Sequence, residues 1–201
     1  MPYLPSAFQR ILEPLDRRVV NRIVSAHRGN HGVGTGDGAW TCQRHLKALL
    51  FAQLSGLKSL REVVEGLSAQ PGALYHLGMR PPKRATLSDA SAARPAAVFR
   101  DLAEHMIARM GREARQEAAT LIRLVDASPV PLRDGRFAWA EADARCRGLK
   151  LHMIFDPREE RPVRFAVTSP RTPDLAGVRE MPIEAGATYV FDKGYTDYGW
   201  W

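Results

Sequence analysis

Two aspartates carry the chemistry that this sequence suggests. Asp192 follows the apolar run Thr188-Tyr-Val-Phe, and Asp126 follows Thr120-Leu-Ile-Arg-Leu-Val. Each closes a β-rich segment with a carboxylate. Carboxylates delivered by the ends of two neighbouring strands suit a hard divalent cation, because Mg²⁺ takes oxygen ligands and keeps positions open for phosphate and water. The implied chemistry is metal-assisted phosphoryl transfer, with Asp126 and Asp192 as both metal ligands and catalytic residues. Aspartate after a strand is also a common turn starter, so the pair alone leaves that plainer reading open.

Other sites are excluded by spacing. The run Gly29-Asn-His-Gly-Val-Gly-Thr-Gly-Asp-Gly38 has no Gly-Lys-Ser/Thr ending and follows no strand, so it reads as a flexible loop and not as a phosphate cradle. Glycines at 29 and 32 break any helix that would bring His27 and His31 together, which removes a zinc site. Cys42 and Cys146 form no Cys-x-x-Cys element, and a reduced cytoplasm fits them best. No stretch is apolar for long enough to span a membrane, and no signal segment opens the chain.

The elements that must position the acids change character along the 201 residues. In the first half the apolar period is helical. Leu46, Leu49, Leu50 and Leu54 mark an amphipathic helix over Thr41 to Ser55 that Gly56 ends. Ser59 and Glu62 form a capping box ahead of the stripe Leu60, Val63, Val64 and Leu67. Pro71 starts a short helix and Gly78 stops it. The rigid basic loop Arg80-Pro-Pro-Lys83-Arg84 precedes Ser88, read as the cap of a helix through Ala93. Pro95 opens a longer helix with Val98, Phe99, Leu102, Met106 and Met110 as core. From residue 120 the segments 121–125, 149–155, 163–168 and 188–191 read as strands, with a helix near 174–180 before the fourth.

Charge divides the chain in the same place. The net charge of +7 lies wholly in residues 1–119, which hold 17 Lys and Arg against 10 Asp and Glu; residues 120–201 hold 12 of each. A basic helical module beside a neutral, acid-bearing one suits a DNA-binding domain attached to a catalytic one, although a solvated basic surface explains the charge equally well. Helix, turn, helix, basic loop, helix resembles a helix-turn-helix bundle, in which Arg80, Lys83, Arg84 and Ser88 would meet DNA.

The run Phe191-Asp192-Lys193-Gly194-Tyr195-Thr196-Asp197-Tyr198 closely resembles the second-aspartate motif of DDE transposases of the bacterial "insertion sequence four" group, and Asp126-Ala-Ser128 is similar to their first-aspartate motif. Upstream, Phe51-Ala-Gln-Leu-Ser55-Gly-Leu-Lys-Ser59-Leu-Arg-Glu62, Arg84-Ala-Thr-Leu-Ser88-Asp89-Ala90 and Phe99-Arg-Asp-Leu102-Ala resemble their amino-terminal domain, in the same order. The resemblance implies an α+β chain: a helical, helix-turn-helix-like DNA-binding domain over 1–115, then the opening of an RNase H-like α/β domain over 120–201, whose fourth strand lies beside the first. It also implies Mg²⁺ or Mn²⁺ at Asp126 and Asp192, double-stranded DNA carrying an element's inverted repeats as partner, a homodimer, and a place in the bacterial cytoplasm at the nucleoid.

Two features depart from that pattern. The family's third acid, a glutamate within a Tyr, Arg, Glu, Lys signature on a later helix, has no counterpart before Trp201, and Arg171-Thr-Pro173-Asp174 stands where a His-Asp pair is usual. The expectation is therefore a transposase piece, inactive alone. Its rivals are a DNA-binding remnant or regulator in which the acids are relics, and an RNase H-like nuclease unrelated to transposition. His152 reads as a satisfied sheet histidine. Arg133, Arg145, Arg147 and Lys150 lie near Asp126 in sequence, with acids interleaved.

Overall fold

A computed structural model describes residues 7–113, 121–132, 137, 140, 142 and 147–199. The chain forms two compact units, Met1–Ala103 and Glu104–Trp201.

The first unit is helical: α1 (Ala7–Leu12), α2 (Arg17–Ala26), α3 (Cys42–Leu54), α4 (Leu60–Ser68), α5 (Pro71–His76), α6 (Arg84–Ala93) and the start of α7 (Ala96–Glu113). Local chemistry sets most of the boundaries. Asp16 caps α2 by accepting from the Arg18 N–H, and Thr41 caps α3. The expected capping box forms in shifted form: the Glu62 N–H donates to Ser59 Oγ at 3.2 Å, while the Glu62 carboxylate accepts at 2.9 Å from the N–H of Lys58, one residue before the cap. Gly56 and Gly78 take positive φ and end their helices.

Two apolar clusters hold this unit. Trp40, Ala48, Val63, Leu67, Leu74 and Leu87 belong to one, and Val20, Val24, Cys42, Val98 and Leu102 to the other. Between them, α3 departs from the leucine stripe expected of it. Its buried residues are Cys42, His45, Ala48 and Ala52, while Leu54 is exposed. A helix packed against neighbours on two sides needs small residues at the close approaches, so its leucines fill the flanks. Met110, expected in the core of α7, is likewise exposed, and Ile107 is buried instead. The glycine-rich loop is not free at its start. Gly29 is buried, its carbonyl accepts from Cys42 Sγ at 3.0 Å, and a Cβ there would meet that sulfur at 2.9 Å.

The second unit holds a four-stranded sheet of β1 (Ile122–Pro131), β2 (Gly148–Asp156), β3 (Arg161–Thr168) and β4 (Thr188–Phe191), in the order β3-β2-β1-β4, with α8 (Asp174–Arg179) before β4. Strands β1, β2 and β3 pair antiparallel, and β4 runs parallel to β1. The α+β architecture is the expected one, and the mixed sheet with β4 beside β1 is consistent with an RNase H-like domain.

One face of this sheet carries the core: Val125, Ile154, Val163 and Tyr195 pack with Val178 and Met181 from α8 and its end. His152 lies on this face, fully buried, with Nε2 2.8 Å from Thr168 Oγ1. A Cβ at Gly177 would come within 2.3 Å of its ring, so only glycine lets α8 sit this close to β2. Arg123, buried on β1, bonds Asp156 and Glu184, each at 2.8 Å. On the opposite face Ile122, Leu124 and Val190 are exposed.

Candidate active site and nucleic-acid interface

Asp126 does not end its strand. β1 continues to Pro131 along β2, with Asp126 opposite Met153. Asp-Ala-Ser-Pro reads as a turn, yet β4 pairs with β1 only from Ile122 to Val125. Beyond that point, among the described residues, one side of β1 is an edge, where Pro129 and Pro131 are tolerated. The strand that ends at the site is β4.

Register brings the two acids together. Val125 pairs with Phe191, and Asp126 and Asp192 are the next residue on each strand. Neighbouring strands lie about 5 Å apart, so the two backbones present their carboxylates side by side. Val125 and Phe191 point into the core. Side chains alternate along a strand, so Asp126 and Asp192 emerge on the other face, where both are exposed. Among the described residues neither acid has a salt-bridge partner, and no group of three or more His, Cys, Asp or Glu is placed to hold a metal. Two exposed carboxylates without a cation fit the protein's share of a Mg²⁺ site, since that ion is commonly held by one or two carboxylates with phosphate and water completing the shell.

Anchoring differs between the acids. Asp192 caps a 3₁₀ turn, Lys193–Tyr195, and its Oδ1 accepts from the Gly194 N–H at 2.8 Å. Sequence reading passed over Gly194, where a Cβ would lie 3.0 Å from that oxygen. Its tight Asp-x-Gly spacing is a visible turn signal. Tyr195 is buried at 1% exposure against Phe191, so of the two tyrosines after Asp192 this one packs, whereas Tyr198 is 94% exposed. Burial pushes the Tyr195 phenol up, and the nearby charges of Asp174, Asp126 and Asp192 push it further. It stays a neutral hydroxyl beneath the acids. Arg179 pairs with Asp197 and ties down the segment beyond.

Of the remaining basic candidates near Asp126, Lys150 is partly buried and Arg147 is exposed, and each is engaged by a nearby oxygen. Lys150 bonds Asp174 at 2.8 Å, and Arg147 donates to the Ala140 carbonyl. Asp174 thereby has a structural partner at the start of α8. Arg133 and Arg145 lie outside the described residues, as do Cys146, Trp200 and Trp201.

In the first unit Arg80, Lys83, Arg84 and Ser88 are all exposed. Ser88 is not a cap: α6 starts at Arg84 with Lys83 in the N-cap position and no side-chain cap. After two prolines the chain enters the helix directly, which places Ser88 one turn beyond Arg84 on the same face. Cations at an uncapped helix start oppose the helix dipole unless an anion sits there.

Residues 5–80 match a family described as a domain of unknown function (DUF4372), and residues 117–201 match the family described as transposase DDE domain. A curated protein of Sinorhizobium fredii named "Putative transposase y4zB" is 40% identical over 121 residues, 60% of this chain and 33% of that protein. The matched segment thus spans about a third of that relative's length. No solved structure matches the chain.

Proposed function

The chain belongs to the DDE transposases of the insertion-sequence-four type, and on that premise we propose that Asp126 and Asp192 form the metal-binding pair of its catalytic domain, within the longer protein that cuts and joins DNA strands. The observation that carries this is the parallel register, which sets both acids at adjacent positions on the exposed sheet face, where among the described residues neither has a salt-bridge partner. A divalent ion, Mg²⁺ or Mn²⁺, bound there would polarise a phosphodiester and lower the pKa of an attacking water. The residues around the acids orient them. Gly194, in the middle of its turn, fixes one oxygen of Asp192, the β1 to β2 ladder holds Asp126, and the buried Tyr195 anchors the end of the turn without adding charge.

Residues 1–115 are assigned to DNA binding, with Arg80, Lys83, Arg84 and Ser88 meeting a duplex that carries an element's inverted repeats, and residues 120–201 to the catalytic domain. The excess positive charge of the first 119 residues and the uncapped, cationic start of α6 support this. Assembly as a homodimer and work at the bacterial nucleoid are part of the same reading; among the described residues no helix is long and apolar enough to cross a membrane.

A second reading is a DNA-binding protein without catalysis, and one observation favours it: among the described residues no third acid joins the pair. Calorimetric titration of Mn²⁺ into the chain decides between them. The proposal expects binding that Asp126→Asn and Asp192→Asn each weaken by at least about tenfold, the loss of one charged ligand. Binding equal in wild type and both variants would sink it in favour of the second reading.

A further inference from the structure

In the first unit a cleft of about 660 Å³ opens among α1, α2, α3 and the end of α5. That volume accommodates a small molecule or one nucleotide. Its charged lining is one-sided: Arg17, Arg44, Lys47 and His76 against a single acid, Glu13. Two of these cations, Arg44 and Lys47, are held in place by carbonyl oxygens. Arg44 donates from Nε to Gly78 at 3.0 Å and from Nη1 to Asp37 at 2.6 Å and Ala39 at 2.5 Å, and Lys47 donates to Leu77 at 2.7 Å. Carbonyls orient a cation without cancelling it. Among the described residues none of Arg17, Arg44 and Lys47 has an ion-pair partner.

The crowding registers at Lys47, whose ammonium is pushed below the usual lysine value by burial, then by Arg44 and Arg17. Arg17 also stands in the first turn of α2, next to the Asp16 cap, whose carboxylate is engaged by the Arg18 N–H. An anion in the cleft would offset the mutual repulsion of Arg17, Arg44 and Lys47. The wall beside the cations is polar as well, with Gln43 Nε2 donating to Asn21 Oδ1 at 2.6 Å. Duplex readers push a protruding helix into a groove, whereas a recess lined by fixed cations suits an unpaired strand whose nucleotides can turn inward.

We propose that this cleft binds a phosphodiester of an unpaired DNA strand, at a place separate from the duplex contact assigned to α6. The inference rests on the reading that this unit handles DNA. It is tested on the full chain by following backbone amides by NMR during titration with a 5′-phosphorylated thymidine tetranucleotide and, separately, with a blunt duplex. The tetranucleotide is expected to shift Asn21, Gln43 and Lys47, and Arg17→Gln with Lys47→Gln is expected to weaken it at least about tenfold. Arg17→Gln alone, at an exposed position, is expected to weaken it several-fold without touching the Leu77 bond. If the tetranucleotide leaves the cleft amides unmoved, or binds the variants as tightly as wild type, the cleft assignment is overturned. Duplex shifts at α6 with an unmoved cleft would overturn only this inference. Tetranucleotide shifts in the cleft with α6 silent toward duplex would overturn only the α6 assignment.

Discussion

At the scale of single residues, the two acids have one chemistry and two kinds of support. Asp192 is tied through Gly194 to a 3₁₀ turn, whereas Asp126 is held by the strand ladder on which it sits. Both types and their order were legible in the sequence, because a carboxylate after an apolar run stands out. The exposure of both on one face was not legible, since it depends on which neighbour each strand finds. His45 was invisible to the sequence reading. It is buried at 1% exposure beside Phe99, and burial, then the charge of Arg94, brings its pKa down to about 4. The folded value is depressed below the unfolded value near 6.5, so the folded state binds fewer protons in between. The stability contributed by neutral His45 is present above pH 6.5 and is lost as pH falls from there toward 4, by roughly 3 kcal/mol in all. Urea unfolding of wild type and His45→Leu across pH 4 to 7 should show that slope only in wild type. An equal slope in both would assign it to carboxylates elsewhere.

At the scale of elements, helices whose ends carry their own chemistry were read closely. The Ser59–Glu62 box, the Thr41 cap and the glycines at 56 and 78 act through contacts a few residues apart, so sequence alone contains them. Elements whose limits depend on a distant partner were misjudged. β1 overruns Asp126 because β2 lies alongside, and α6 begins before Ser88. The seating of α8 on the sheet has the same non-local origin, and Gly177 measures it. Gly177→Ala should destabilise the chain by about 1–3 kcal/mol, because a methyl group forced against the buried His152 ring overpacks the core. Thermal unfolding of the purified variant checks this, and an unchanged midpoint would mean that α8 can lift away freely.

At the scale of the whole molecule, charge divides the chain as the secondary structure does. All of the net +7 lies in residues 1–119, with the candidate catalytic acids in the neutral remainder. DNA affinity should therefore fall steeply with salt, as counterions released from phosphates are recaptured. Anisotropy with a labelled duplex between about 50 and 200 mM KCl should give a log–log slope steeper than about −3, corresponding to several phosphate contacts. A flat response would argue against an electrostatic DNA interface. The sequence by itself held the candidate acids, the helical and strand halves, the charge division and the family resemblance, because residue type, period and motif order are properties of the chain read in line. Only the tertiary structure decided that β4 joins β1 in parallel with Phe191 against Val125, that Asp126 and Asp192 therefore leave the sheet on the same open face, and that Arg17, Arg44 and Lys47 border one cleft. Strand register and the meeting of distant side chains depend on burial summed over the folded chain, which no local window of sequence contains.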